Sequence, residues 1–422
     1  MPRSYLLPVE SRQLKVLYDG MIFHRQETGG INRYFEKLID HLPTNVDPAI
    51  TLSKCPSNNF PKSERLRLLI ENFNLPKPFR KLSRAIRATR LETMQKDLAP
   101  DLIHATYYDT LGGFKAISNG RPFVVTVHDM THEKFPHLLD RRGRHAELKK
   151  RAIKKADAII CVSNNTRNDL LERFPECEAR TTVIYHATEL GDVVPEVTEF
   201  GSDRPYVLYV GSRSHYKNFD GLLNAFRIVV SRDKELQLRI VGREFSKQEN
   251  KRISELNLTE HTINHGTVND GRLAQLYRKS LCFVYPSLYE GFGLPLLEAM
   301  SCDTPVLAAN NSCIPEVVRD AALLFDPSSK TDLADALTFL LNNPCIREQL
   351  VTEGRTRCKE FSWKKSARQT FETYETAMAA ARIQTGYRLS MNHVADFSRT
   401  QPGWLRSMTS RRSQGVLTPD NR

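Results

Sequence analysis

The chain of 422 residues lacks several things that would place it early in a functional class. Its 8 cysteines are scattered, with no CxxC pair and no His/Cys cluster at zinc spacing. That fits thiols kept reduced in a cytoplasm better than a disulfide framework and offers no zinc module. No apolar run approaches the roughly 20 residues that cross a bilayer, and residues Met1 to Gln13 carry no long apolar stretch of the secretory type. No GxGxxG follows the first strand-like segment, which argues against a nicotinamide oxidoreductase. No acidic pair of the DxD kind stands where a cleft would be, so no metal and no resident cofactor is expected. No zinc finger, RRM or comparable signature accompanies the basic balance, a formal net charge of +12, so nucleic acid is not an expected partner. The charge favours anionic partners in general, sugar nucleotides and phospholipid surfaces among them.

What is present is alternation. Short β-rich runs alternate with amphipathic helical stretches, the pattern of parallel sheets with crossover helices. Strands are expected at Lys15–Asp19, Leu102–Ala105, Phe123–His128, Ala158–Val162 and Thr182–Tyr185. A second set is expected at Tyr206–Val210, Leu236–Val241, Thr262–His265, Leu281–Tyr285, Pro305–Ala308 and Ala322–Phe325. Most read as continuous apolar runs, as strands covered on both faces do. Helical stripes such as Ile31, Tyr34, Phe35, Leu38 and Leu42 lie between them, as do Leu222, Leu223, Phe226 and Val230, the latter opened by Asn218 as a cap. The acidic stretch Glu189–Pro205, with two prolines, two glycines and no periodicity, reads as a linker. This divides the chain into an N-terminal α/β domain, residues 1–190, and a C-terminal one, residues 191–384. A polar, basic tail, residues 385–422, is expected to be disordered.

The strongest chemical signal is YPSLYEGFGLPLLEAMSCDTP, Tyr285–Pro305. A strand ends at Tyr285, glycines 291 and 293 follow, and Pro295 stands where a helix begins, a position where its missing N–H costs nothing. Backbone N–H groups of Phe292, Gly293 and Leu294 would face an anion, backed by the helix dipole. Glu290 and Glu298 flank the turn as E-x7-E. Glu290 suits sugar hydroxyls. Glu298 reads either as a ribose acceptor or as a complement to the helix N-terminus.

This stretch resembles the retaining glycosyltransferases of family 4, which share the GT-B architecture of two Rossmann-like domains around a cleft. The resemblance runs from about Val16 to Thr376, and its E-x7-E with GFG between the acids matches without gaps. It implies a donor domain at the C-terminal side and an acceptor domain at the N-terminal side. It also implies same-face transfer in which the leaving phosphate helps deprotonate the acceptor. In YVLYVGSRSHYKN, Tyr206–Asn218, Lys217 carries over as the cation on the donor diphosphate. Relatives place an arginine directly after the glycine; here Ser212 stands there, with Arg213 next to it as a substitute. In DGMIFHRQETGGINRY the turn Gly29–Gly30 carries over to the donor phosphates, and Arg33 reads either as an anion contact or as a surface residue. In VTVHDM, His128 carries over as a positioning and electrostatic group against the donor sugar, oriented by Asp129. In NHGTVND, Gly266 to Val268 carries over to the nucleotide base. Ser163, Asn164 and Asn165 read most simply as a helix cap.

The catalytic group expected is thus Glu290, His128 and Lys217. The donor site adds Gly29, Gly30, Arg213, Gly266, Val268, Phe292, Gly293, Leu294 and Glu298. Expected partners are a GDP- or UDP-linked sugar and a glycan or lipid-linked acceptor, with hexose, mannose first, transferred in surface polysaccharide or lipopolysaccharide assembly. Alternatives on the same architecture are a nucleotide-sugar epimerase and a catalytically silent binding protein. The segment Lys77–Lys96 gathers Phe79, Leu82 and Ile86 on one helical face and Arg80, Lys81, Arg84, Arg87 and Arg90 on the others. It reads either as a peripheral contact with an anionic membrane on the cytoplasmic side or as a solvated basic helix. The helix around Phe361–Ala380 is expected to cross back onto the N-terminal domain.

Overall fold

The computed structural model describes residues 13–52, 59–70, 80–110, 120–196, 204–329 and 331–400. Within them lie two wholly parallel sheets. The first has seven strands: β1 (Leu14–Tyr18), β2 (Val46–Leu52), β3 (Arg67–Ile70), β4 (Leu102–Ala105), β5 (Phe123–Val127), β6 (Ala158–Cys161) and β7 (Thr181–Val183). The second has six: β8 (Tyr206–Val210), β9 (Gln237–Val241), β10 (Thr262–Asn264), β11 (Cys282–Tyr285), β12 (Val306–Ala309) and β13 (Leu323–Phe325). Their spatial orders are β3-β2-β1-β4-β5-β6-β7 and β10-β9-β8-β11-β12-β13. Both orders reverse at the first strand, between β1 and β4 and between β8 and β11. Doubly wound sheets open their ligand crevice at that switch point, beyond the carboxyl ends of the strands. The apolar runs of the central strands are buried, as for Phe123–Val127 and Tyr206–Leu208, because helices cover both faces, while the edge strands are only partly covered.

Three features depart from the expectations. Strands β2 and β3 were not anticipated, because Asp47 and Pro48 interrupt the apolar pattern of the one and the other is largely exposed at the sheet edge. Pro48 is tolerated because it faces Val16 on β1 only; pairing with β3 begins one residue later, at Ala49 opposite Arg67. Asn218 precedes the helix Phe219–Val230 but sits in the left-handed region, φ 55°, and its side chain makes no cap bond. The supposed tail is not wholly irregular. The final helix runs Trp363–Thr400, so residues 385–400 extend it, while residues 401–422 lie outside the described part. An anchored helix propagates at one hydrogen bond per residue without needing an apolar stripe of its own.

That final helix crosses back to the first sheet as expected. Trp363, Ala367, Tyr374 and Ala377 join the core formed by Val16, Tyr18, Tyr34 and Phe35. The Tyr374 hydroxyl meets the Tyr18 hydroxyl at 2.9 Å and His104 Nδ1 at 2.7 Å. The basic segment does form a helix, Arg80–Leu98, with Leu82 52% exposed, Arg90 exposed and Ile86 half-buried. Residues 77–79 lie outside the described part, as do the side chains of Arg80, Lys81, Arg84 and Arg87. No described helix is long and apolar enough to cross a membrane.

Candidate active site

The switch point of the second sheet brings Lys217 and Glu290 together. Lys217 lies in the turn after β8, Glu290 in the loop after β11. The Lys217 ammonium donates to Glu290 Oε1 at 2.6 Å, with both side chains largely buried. Burial opposes the lysine's charge, but Glu290 outweighs it and holds the pKa above the ordinary lysine value. The rings of Tyr216 and Tyr285 face the ammonium at 5.3 and 5.8 Å.

Past Glu290 the loop enters the helix Leu294–Ser301 through Gly293, whose φ of 90° a side chain would resist, with Pro295 in the first turn. Its first N–H groups have no partner within the helix by construction. The helix Gly30–Asp40 begins opposite: a Cβ added to Gly30 would stand 4.0 Å from Leu294 Cδ1. Two helix N-termini thus converge on the cleft from different domains, a field suited to a diphosphate. Phe292 contributes only backbone there. Its ring is buried against His186 and Tyr185, at 4.9 and 6.0 Å.

Glu298 lies one turn into the same helix, buried. It accepts from Arg33 Nη1 at 2.9 Å and lies 3.4 Å from the Tyr277 hydroxyl. Arg33 also reaches Asp270 with its other nitrogen. It is therefore not a free surface residue but a bridge from the first domain to two carboxylates of the second. Burial raises the pKa of Glu298 although Arg33 opposes it. On the arginine, burial is outweighed by Glu298 and Asp270, and its pKa rises. A cavity of about 310 Å³ opens beside this bridge, lined by Arg33, Lys37, Glu189, Asp192, Asp270 and Trp363, among others.

His128 directly follows β5 and points into an aromatic cage, with Tyr34 at 5.2 Å and His186 at 6.1 Å. Its Nε2 is buried without a partner. Burial, with Lys149 adding to it and Asp129 opposing, pushes the pKa down to about 4, so the ring is neutral at pH 7. Asp129 does not orient it by a hydrogen bond, as the sequence suggested. Its carboxylate accepts from the Thr131 N–H at 2.9 Å and faces Lys149 at 3.7 Å. Burial works against that charge, yet Lys149, the Thr131 hydrogen bonds and His132 together outweigh it and hold the pKa at about 2. The backbone turns at Asp129, which sends the two consecutive side chains to different neighbours.

Arg213 does not lie ready for the diphosphate. Its guanidinium is buried, pairs with Glu249 at 2.6 Å and donates to the carbonyls of Arg243 and Glu244. Only Nη1 is left without a partner. Arg213 braces the capping box that opens the helix Lys247–Glu255. Gly266 keeps φ at 66°, and its carbonyl accepts from the Gly242 N–H at 3.0 Å, while Val268 packs against the second core. Ser163 caps the helix Asn164–Arg173 by accepting from the Thr166 N–H, as read from the sequence.

Several residues of the cleft escaped the sequence reading. Tyr289 crosses to the first domain, donating to Asp169 at 2.6 Å and accepting from the Met130 N–H. The ring nitrogens of His186 are buried without partners beside His128. Asp270 and Glu316 also reach across. None of these was singled out by the spacing of the motifs, because their partners lie far away in the sequence. Among the described residues no group of three or more His, Cys, Asp or Glu is placed to hold a metal ion.

Comparison with known proteins agrees with this geometry. The profile described as Glycosyltransferase Family 4 matches residues 28–191, and that described as Glycosyl transferases group 1 matches residues 193–357. The chain is 31% identical over 265 residues to an O-antigen chain mannosyltransferase B of Escherichia coli, covering 60% of this chain and 70% of that protein. It is 29% identical over 375 residues to an MMP alpha-(1->4)-mannosyltransferase of Mycolicibacterium hassiacum, covering 80% and 88%. Among solved structures, sucrose-phosphate synthase of Thermosynechococcus elongatus superposes with a TM-score of 0.71 at 23% identity, over 87% of this chain and all of that one. HepE of Anabaena in complex with UDP and glucose superposes with a TM-score of 0.65 at 19% identity, over 86% of this chain and all of that one. These likenesses favour a transferase over an epimerase or a silent binder. With two parallel sheets closing on Lys217, Glu290 and Glu298, the chain belongs to the family 4 glycosyltransferases and has the GT-B fold.

Proposed function

We propose that this enzyme transfers a hexose, with retention of anomeric configuration, from a nucleoside-diphosphate sugar to a glycan or lipid-linked acceptor. Mannose is the first choice of sugar, because two relatives carry mannosyltransferase in their names. The role in surface polysaccharide assembly rests on the O-antigen relative. HepE, whose structures hold UDP and UDP-glucose, supports a nucleotide donor of this chemical kind.

The observation that carries the reading is the Lys217–Glu290 pair at the β8/β11 switch point, next to the N-terminus of Leu294–Ser301. In the reaction the bond from C1 of the sugar to the diphosphate oxygen breaks, and a bond from the acceptor oxygen to C1 forms on the same face. The acceptor proton passes to the departing phosphate. Lys217 and the helix N-terminus meet the charge growing on the diphosphate, the largest electrostatic demand of such a step. Glu290 holds sugar hydroxyls, and neutral His128 presents its ring to the sugar. Glu298 accepts from the ribose once Arg33 yields it. Gly29, Gly30, Gly266 and Val268 line the nucleotide's path through their backbones. The positive field comes from the chain itself, so transfer is expected to persist in EDTA. Loss of activity on chelation would overturn that part.

A panel of GDP- and UDP-sugars tests the reading through thermal stability and acceptor-dependent transfer. One donor should raise the melting temperature and support transfer; the stabilisation should vanish in Glu298→Ala, and transfer should fall about a hundredfold or more in Lys217→Ala. Silence toward every donor and acceptor would sink it. A lipid-linked acceptor would be met at a membrane through the basic helix Arg80–Leu98. Binding to phosphatidylglycerol vesicles should then fall when its arginines become glutamine.

A further inference from the structure

The peptide Glu290–Gly291 is held from two sides. Within its own domain, the Glu290 N–H donates to Ser312 Oγ at 3.1 Å, and the Cys313 thiol donates to the Glu290 carbonyl at 3.3 Å. Ser312 adopts φ 47°, a left-handed conformation unusual for serine that turns the chain onto Glu290. From the other domain, the hydroxyls of Ser163 and Thr166 donate to the Gly291 carbonyl at 2.7 and 3.1 Å. Gly291 also abuts the His128 backbone. A Cβ built there would lie 1.7 Å from the His128 carbonyl oxygen, so only glycine permits the approach.

Glu316 ties the two holders together. It sits three residues past Cys313, on the short helix Ile314–Val318, whose carbonyls at Glu316 and Val317 accept from buried Arg357 at 2.9 and 2.8 Å. Its carboxylate crosses the cleft and accepts four hydrogen bonds from the first domain. Oε1 takes the Asn164 N–H at 2.7 Å, Asn164 Nδ2 at 2.8 Å and the Tyr185 hydroxyl at 2.7 Å, and Oε2 takes the Asn165 N–H at 3.0 Å. The helix Asn164–Arg173 does not need this carboxylate as its cap, since Ser163 already fills that role. A carboxylate with charge-assisted bonds to two consecutive backbone N–H groups fits one mutual placement of the domains and few others.

We propose that Glu316 is a positioning residue for glycosyl transfer: it latches the donor domain to the helix Asn164–Arg173, so that Glu290 and His128 come to flank one site. The proposal rests on the roles given above to Glu290 and His128. Without the latch, the Gly291 carbonyl loses its register with Ser163 and Thr166. Glu290 then stays bound to Lys217 in its own domain but no longer faces the histidine. Most of the donor's contacts, at Lys217, Glu290, Gly266, Val268 and Glu298, lie within the second domain, so donor binding falls little, whereas the transfer step, which needs both domains in register, falls far more.

The test compares wild type, Glu316→Ala, Ser163→Ala and Ser163→Thr, the last keeping both the hydroxyl and the cap. Each variant is first checked for native circular dichroism. Small-angle scattering of the free protein should show a larger radius of gyration for Glu316→Ala. Steady-state kinetics should show kcat lowered about tenfold to a hundredfold, the scale of an ångström-level misplacement, with donor KM changed less than about threefold. Ser163→Ala should shift in the same direction, and Ser163→Thr should recover. A Glu316→Ala protein with the wild-type radius of gyration overturns the latch, whatever its activity. A wild type inactive with every GDP- and UDP-sugar overturns the functional reading instead, and scattering alone then decides the latch.

Discussion

At the scale of single residues, the site is a set of charges waiting for a substrate of the opposite pattern. Lys217 and Glu290 satisfy one another at 2.6 Å, and Arg33 spans Glu298 and Asp270. In the proposed donor complex a diphosphate would displace Glu290 from Lys217, and a ribose would compete with Arg33 for Glu298. Lys217→Ala should lower kcat about a hundredfold to a thousandfold, the cost typical of removing one preorganised donor from a transition state. A rate within a factor of three of wild type, measured at saturating donor, would remove Lys217 from the chemistry. Arg33→Gln should tighten nucleotide binding measured by calorimetry, because Glu298 is then free in the unliganded protein. Unchanged or weaker binding would assign Arg33 a direct hold on the donor instead.

These residues differ in how far the sequence exposes them. Glu290, Gly291, Gly293 and Glu298 stand within one turn-and-helix segment, so their spacing alone states the geometry. Ser163 and Gly291 meet across 128 residues, and Asn164 and Glu316 across 152. Such pairings are set by how two domains close, and no local periodicity records them. Arg213 stands one position after the arginine of the resemblance, and its long side chain turns within its own domain to Glu249 on the helix Lys247–Glu255, a choice of partner that local spacing does not record.

At the scale of elements, apolar runs bounded by glycine, proline and polar turns disclosed the buried strands. What they concealed was β2, where Pro48 imitates a loop while standing in the stretch before Ala49 whose outer side has no partner strand yet. The last helix was expected to return to the first sheet, and its polar teeth there are now visible. Tyr374 joins Tyr18 and His104, and His104 Nε2 reaches Thr126 at 2.9 Å. Tyr374→Phe strips two buried partners at once and should cost about 1–3 kcal/mol, read from the urea midpoint. A loss below experimental error would mean that water or repacking replaces the hydroxyl.

At the scale of the whole molecule, acid should loosen the fold before it protonates most carboxylates. Burial pushes His104 down to about 3, and His128 and His145 to about 4, from an ordinary value near 6.5. In the unfolded chain these rings bind protons that the folded chain refuses. Stability is therefore full above pH 6.5 and falls as pH drops toward 4, by up to about 1.4 kcal/mol per pKa unit for the buried rings of His104 and His128 and by less for the partly exposed His145, which solvent screens. Asp19, which burial pushes up to about 7, works the opposite way, as does Glu298. The histidines outnumber them, so the urea midpoint should drop between pH 7 and pH 5. A midpoint that rises on acidification would show the buried carboxyls to dominate.

The return of the last helix also governs the order in which the protein can be made. Tyr18 and Tyr374 touch across 356 residues, and Trp363, Ala367 and Ala377 complete a core begun by β1. While the ribosome is still synthesising the second sheet, the first has an open apolar face with nothing yet to cover it. The second sheet, by contrast, draws its core from residues made close together in time. The nascent chain should thus hold its first domain unfinished until translation is nearly over, a window in which that face is exposed to chaperones or to aggregation. Premature stop mutations upstream of Trp363 should therefore remove more than a terminal helix: they leave the first domain unable to close its core.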